Sequence, residues 1–426
     1  MYSLNLSKIK GTIFYRGGIA ALDQGMLSMI NLGVQILLIK TVIKSEYGYY
    51  SIALSVIMYL MSFQNSVVNT PITVSIAGKT KEAKDKYISA IFSGQIIALI
   101  VVGLAGLLIV FILFNIGMSI EKALIASSLC IGSFGILNRE FLRSYFFAEE
   151  EPIKVLKLDF YYGVIYAGLI LITYLLIGIN VPLIIFFMGL ASGFDSLILN
   201  KRLKFNFNLR NIKESYLENW QISKWSLIGI TVTQLQGYSY LYVIGGLLGS
   251  NAVADVSASR LLLLPVGLIT NGWGNVIRPY GAKLREQNQL KKFFKNLVLA
   301  GISFPIIILI VSIVLYYSSG ILLKMVFTKD YQTVFDYLFY WAVLSSVGFL
   351  RANASYGLQV VKKFKSLALF NGVTMIITIT LAFILTNQFQ IKGALIASLC
   401  GEVLFATILW CNLYKAIYNT KQVIND

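Results

Sequence analysis

Long apolar runs alternate with short polar breaks along the whole chain. Twelve runs are read, at 17–38, 47–70, 87–114, 122–147, 155–178, 181–200, 221–248, 252–277, 296–317, 332–359, 366–386 and 391–414. A helix that crosses the hydrocarbon of a bilayer needs about 20 mostly apolar residues. Apolar residues within each run are continuous and mixed with Gly and other small residues. They do not alternate with polar ones, so the pattern predicts helices and not barrel strands. The expected fold is an all-α polytopic membrane protein of about 12 transmembrane helices. The largest polar stretch, 201–219 (KRLKFNFNLRNIKESYLEN), lies midway. It reads as a cytoplasmic connector between an N-terminal six-helix bundle, 1–200, and a C-terminal one, 220–426.

The cations set the topology. On an even-span arrangement, 26 of the 36 Lys and Arg fall in the termini and in every second loop, and 6 in the loops of the other side. Lys and Arg accumulate on the cytoplasmic side, so both termini are expected there, in a bacterial inner membrane. This asymmetry also accounts for the net charge of +17 without a nucleic-acid partner. The first 16 residues hold Lys8, Lys10 and Arg16 and no apolar run, so the first span is expected to act as the insertion signal. The outer loops are short and offer no room for a catalytic domain.

Composition agrees. Only 13% of residues are charged and 57% are hydrophobic, too apolar for a water-facing surface. The chain has no histidine, which excludes imidazole-based metal sites and Ser-His triads. The three cysteines, Cys130, Cys400 and Cys411, all lie in apolar runs and are expected to act as small core hydrophobes, not as a disulfide framework.

The two halves echo each other at an offset of roughly 204–213 residues. KSEYGYYS (Lys44–Ser51) leads into span 2 as SNAVADVS (Ser250–Ser257) leads into span 8. Ala77-Gly78-Lys79 opens a basic loop after span 2 as Gly281-Ala282-Lys283 does after span 8. LKLDFYYG (Leu156–Gly163) opens span 5 as SLALFNG (Ser366–Gly372) opens span 11. Gly135–Arg139 with Ser144-Tyr145 in span 4 has its counterpart in Gly348–Arg351 with Ser355-Tyr356 in span 10. Six spans per half give both halves one orientation, as in transporters built from parallel repeats. On these features the chain resembles the O-antigen and capsular-polysaccharide repeat-unit flippases of the MOP exporter superfamily, relatives of MATE exporters and of the lipid II flippase. The resemblance implies a V-shaped pair of six-helix bundles with spans 1, 2, 7 and 8 lining a central cavity.

Spans 1 and 7 are the most polar. Gln24, Ser28, Asn31 and Gln35 form one stripe on span 1, and span 7 carries Gln234, Gln236, Tyr238 and Tyr240. Such a stripe avoids lipid and faces either a neighbouring helix or water. Amides, hydroxyls and tyrosine rings suit sugars, so Asn31, Gln35, Gln234, Gln236 and Tyr238 are candidate cavity residues. Four arginines lie within spans: Arg139, Arg143, Arg260 and Arg351. At about 1.5 Å per residue, Arg143 lies roughly 6 Å and Arg139 roughly 12 Å from the inner end of span 4. Guanidinium groups form bidentate bonds to phosphate, so all four are candidate contacts for a pyrophosphate headgroup. The competing expectation is structural pairing with Asp159, Asp195 or Glu140, and of Arg260 with Asp255. Glu140 points away from Arg139. Asp23 and Glu402 are carboxylates inside spans, where an ionised carboxylate is costly. Either could couple transport to protons or Na+, or bond a neighbouring helix. No cofactor and no nucleotide-binding Gly-rich motif is read.

The expected function is not enzymatic. It is translocation of polyprenyl-pyrophosphate-linked oligosaccharide, with membrane lipids around the tail and other polysaccharide-assembly proteins, such as the polymerase, as partners. Two alternatives stay open: a MATE-like cation-coupled exporter and a membrane polysaccharide polymerase or transferase.

Overall fold

The computed structural model describes residues 13–76, 79–199 and 208–418. Among them there is no strand. The helices are α1 Ile13–Thr41, α2 Lys44–Gln64, α3 Thr70–Ser75, α4 Lys81–Asn115, α5 Ile120–Ala148, α6 Pro152–Leu176 and α7 Val181–Leu199. They continue as α8 Leu209–Leu247, α9 Ser250–Leu261, α10 Leu264–Glu286, α11 Leu290–Tyr317, α12 Ser319–Met325, α13 Leu338–Val360 and α14 Phe364–Tyr418. Every expected span has a helix at its place. Eight described helices are long and apolar enough to cross a membrane, or nine with the bent pair α9–α10. α14 passes as one of the eight although it holds two expected spans, broken at Gln390 (φ 53°, ψ −136°). α7 is apolar over a shorter stretch, and α8 is diluted by the amides and hydroxyls already noted. The protein is a multi-pass membrane protein.

The chain forms two compact units, Met1–Thr231 and Val232–Asp426, and α8 runs through the division. In the first unit α5 packs against α2, α4, α6 and α7, and α1 against α6. The α5–α7 crossing is tight because glycines face each other: a Cβ on Gly135 would fall on the Gly189 carbonyl. Phe92, Phe141, Leu142, Val155 and Leu158 form the core beside it. In the second unit α13 packs against α10, α11 and α14 around Phe293, Leu297, Leu358 and Leu409. Leu104 and Leu108 on α4, and Ile310 and Val314 on α11, are exposed. Apolar side chains turned outward on long apolar helices define surfaces that face lipid.

Three expectations change. Residues 209–219 of the expected connector are helical, and 201–207 lie outside the described residues. The helix docks on the first unit: Tyr216 donates to the Ile91 carbonyl (3.1 Å), Tyr87 donates to Asn219 (2.7 Å) and Lys79 pairs with Glu218 (3.2 Å). Its polarity solvates one face of a helix and does not break it. Span 8 is not one straight helix but α9 and α10, bent by 60°. Pro265, in the first turn of α10, lacks the N–H that would bond back across the break. Cys400 and Cys411 are exposed and Cys130 half-buried, all with free thiols, so none is a core residue. Ala77 and Gly78 of the repeat match lie outside the described residues.

Candidate functional site

The in-span charges of the first unit gather where α1, α5 and α6 meet. Arg139 and Arg143 are one turn apart on α5 and so share a face. Asp159 on α6, fully buried, receives both. Its Oδ1 accepts from Arg139 Nη2 (2.6 Å) and Nε (2.9 Å), and its Oδ2 from Arg143 Nε (2.8 Å). Arg143 also bonds Asp23 Oδ2 through Nη2 (3.0 Å) and Glu140 Oε1 through Nη1 (2.9 Å). The Arg139 guanidinium lies 3.7 Å from the Tyr162 ring centroid. Both arginines thus have carboxylate partners, as the competing expectation had it for Asp159 and Glu140. Glu140 serves Arg143 and not Arg139, because neighbours in sequence point apart on a helix. Asp23 joins the cluster as a partner the sequence reading did not assign. Asp195 lies outside the residues whose side chains are described. Two guanidiniums face three carboxylates, and the buried Asp23 Oδ1 has no hydrogen-bond partner among the described residues.

The second unit holds a different arrangement. A cavity of about 330 Å³ opens among α8, α9, α10, α13 and α14, with Arg260, Arg351, Gln236, Tyr240, Trp341 and Glu402 on its wall. Arg351 Nε donates to Glu402 Oε2 at 2.5 Å. Arg260 has no such neutralisation among the described residues. Its Nη1 donates to the Tyr240 hydroxyl (2.8 Å), and its guanidinium lies 5.4 Å from the Tyr238 ring and 5.6 Å from the Trp341 ring. Asp255, expected to pair with it, instead accepts from Thr333 (3.2 Å), because the turn of α9 between them sends Asp255 to the 3₁₀ segment Lys329–Tyr337. The Gln236 Nε2 amide is buried without an acceptor among the described residues. The wall therefore offers one unmatched guanidinium, one unused amide donor and two aromatic faces.

Gln234 does not line this cavity. Tyr238 flanks it through Arg260. On α1 the expected stripe is turned away from the core: Ile19, Asp23, Leu27, Val34 and Leu38 are buried, whereas Asn31 and Gln35 are half-buried and Gln24 exposed. Gln35 accepts from the Tyr47 hydroxyl (3.4 Å), so it also ties α1 to α2. Trp341 was missed from sequence. A lone indole in an apolar run has no periodic signal, and only the fold brings it to Arg260. Among the described residues no group of His, Cys, Asp and Glu is placed to hold a metal ion.

This fold, helical units of long apolar spans, is that of MOP-superfamily transporters. An inward-facing multidrug resistance MATE family transporter of that superfamily matches with a TM-score of 0.74 and 13% identity, over 93% of this chain and 96% of that one. The lipid II flippase MurJ in an inward closed conformation matches with a TM-score of 0.73 and 15% identity, over 92% and 86%. A MOP-superfamily transporter from Pyrococcus furiosus, described as having a binding pocket of reversed polarity, matches with a TM-score of 0.67 and 14% identity, over 95% of both chains. No protein-family model and no curated protein matches the sequence.

Proposed function

We propose that the protein is a flippase. It moves polyprenyl-pyrophosphate-linked oligosaccharide repeat units from the cytoplasmic to the outer leaflet of a bacterial inner membrane, for O-antigen or capsule assembly, by alternating access. The observation that carries this reading is Arg260, a guanidinium inside a membrane-embedded unit with no carboxylate beside it among the described residues. An unmatched charge in such a place is costly and calls for a counter-charge. In the cavity wall two guanidiniums face one carboxylate, which suits an anion and not an organic cation. A phosphate oxygen would be met by Arg260, by the unused amide of Gln236 and, in exchange for Glu402, by Arg351. The fold shared with a lipid II flippase supports a lipid-linked cargo.

Arg139 and Arg143 take a structural role in this reading, holding α1, α5 and α6 together. Coupling falls to Asp23, where a proton on the unpartnered Oδ1 would complete the charge balance of the cluster. Na+ is less suited, since the Arg139 and Arg143 guanidiniums gathered on Asp159 would repel a second cation there.

The test uses proteoliposomes loaded with a fluorescent polyprenyl-pyrophosphate oligosaccharide. Wild-type protein should expose the headgroup to an outer-leaflet quencher, and Arg260→Ala should abolish that while inserting normally. Efflux of organic cations by wild-type protein, with no lipid exposed, would instead establish the MATE-like reading.

A further inference from the structure

The first unit contains a second cavity, of about 330 Å³, between the end of α2 and α5. Here the α-helix is interrupted. Residues Asn65–Asn69 wind as a π-helix before α3 resumes. A π-turn inserts one residue into the ladder, is destabilising for its own sake and is frequent at functional sites. Its effect here is to put two amides, Asn65 and Asn69, on the cavity wall together with Ser62 of α2 and Ser144 of α5. Asn69 is 4% exposed, and its Oδ1 has no donor among the described residues. A buried carbonyl oxygen without a donor is rare in a folded protein and marks a place where a partner arrives.

The charge of the wall says what kind of partner. Among the described residues its ionised groups are Glu140 and Arg143, and they bond each other at 2.9 Å, with Arg143 Nε and Nη2 bonded to Asp159 and Asp23. The wall is therefore neutral, unlike that of the Arg260 cavity. An anion would gain nothing here and would meet the Asn69 carbonyl oxygen. The same wall carries apolar side chains, Met58, Met61 and Phe147. Amides and hydroxyls interleaved with apolar side chains suit a pyranose ring, which presents hydroxyls at its rim and C–H groups on its faces, and the volume lies in the range of small-molecule pockets.

We propose that this cavity is a sugar subsite, taking one neutral monosaccharide ring of the cargo with a ring hydroxyl or N-acetyl N–H donated to Asn69. The proposal rests on the flippase reading and adds to it a place, separate from Arg260, where the sugar is read.

The test measures binding by the full-length protein in nanodiscs of polyprenyl pyrophosphate without sugar and with a single N-acetylglucosamine, glucose or galactose. At least one sugar-bearing lipid should bind about tenfold tighter than the bare one, the worth of one or two buried hydrogen bonds. Asn69→Ala, which removes the acceptor, and Met61→Trp, which fills the cavity, should each bring the lipids to parity while leaving the bare lipid unchanged. Equal binding of all the lipids by wild-type protein, as expected of a cavity holding only water, overturns the subsite and leaves the flippase reading standing. Loss of the bare lipid together with the sugar-bearing ones in both variants also overturns it, since the cavity would then support only the fold. If wild-type protein binds none of the lipids, the flippase reading falls and the subsite with it.

Discussion

The four in-span arginines look alike in the sequence and separate by their partners in the structure. Arg139 is 5% exposed and shares the buried Asp159 with Arg143, whereas among the described residues Arg260 has only a hydroxyl and aromatic faces. Removing one partner of a buried ion pair costs about 3–5 kcal/mol where the other is left unpaired, and removing Arg139 takes both donors from Asp159 Oδ1 while Arg143 stays on Oδ2. Arg139→Ala should therefore lower the thermal unfolding temperature sharply. Arg260→Met should leave it unchanged or raise it, and yet stop flipping. Equal melting temperatures for the two variants in detergent would show that the division into a holding and a binding arginine is wrong. The sequence made Arg139 prominent because it lies deepest in span 4. Depth alone does not tell a salt bridge from a ligand contact, because the deciding carboxylate lies 20 residues away on another helix. Asp23 makes a second prediction at this scale. If a proton on its free Oδ1 is needed for transport, flipping should fall as pH rises on the side from which the site loads. Asp23→Asn keeps the oxygen that accepts from Arg143 and mimics the protonated form. Its flipping rate should be flat with pH, and a variant whose pH profile matched wild type would remove Asp23 from coupling.

At the scale of elements, the helices were legible because hydrophobic runs of bilayer length have few other outcomes. Two of their three interruptions were not. The π-turn at Asn65–Asn69 and the 60° bend before Pro265 fall inside apolar runs, whereas the break at Gln390 falls in the polar gap 387–390 that already separates the runs 366–386 and 391–414. Each follows from backbone geometry. Gln390 is the sharpest case. Its φ of 53° with ψ of −136° is a conformation that glycine adopts readily and residues with a Cβ avoid. The arms on either side run back along each other, so close that a Cβ on Gly401 would overlap Thr378. That packing holds the strained residue in place. Gln390→Gly should relieve the strain and stabilise the protein by about 1 kcal/mol, read as a higher melting temperature. Unchanged or lower stability would mean that the Gln side chain holds the turn in some other way.

For the molecule as a whole, the two readings of the fold differ in the sign of the charge that moves. A polyprenyl-pyrophosphate headgroup carries negative charge outward, and an inside-negative membrane potential favours that movement by about 2.3 kcal/mol per charge per 100 mV. An organic cation leaving the cell moves against the same field. The protein's own charges contribute only as far as they travel across the field. The salt-bridged groups Arg139, Arg143 and Asp159 move as a nearly compensated cluster, and on the flippase reading the cargo itself would neutralise Arg260. The field therefore acts mainly on whatever charge the cargo and the coupling proton leave over. One proton moving inward at Asp23 for each pyrophosphate moving outward adds to the driving force, since both displacements run with the field. In proteoliposomes polarised with a potassium gradient and valinomycin, flipping should accelerate as the interior is made negative. The acceleration should be steeper for wild type than for Asp23→Asn, which carries one charge fewer per cycle. A rate that slows on polarisation would reverse the sign of the transported charge, and with it the assignment of the Arg260 cavity to an anion.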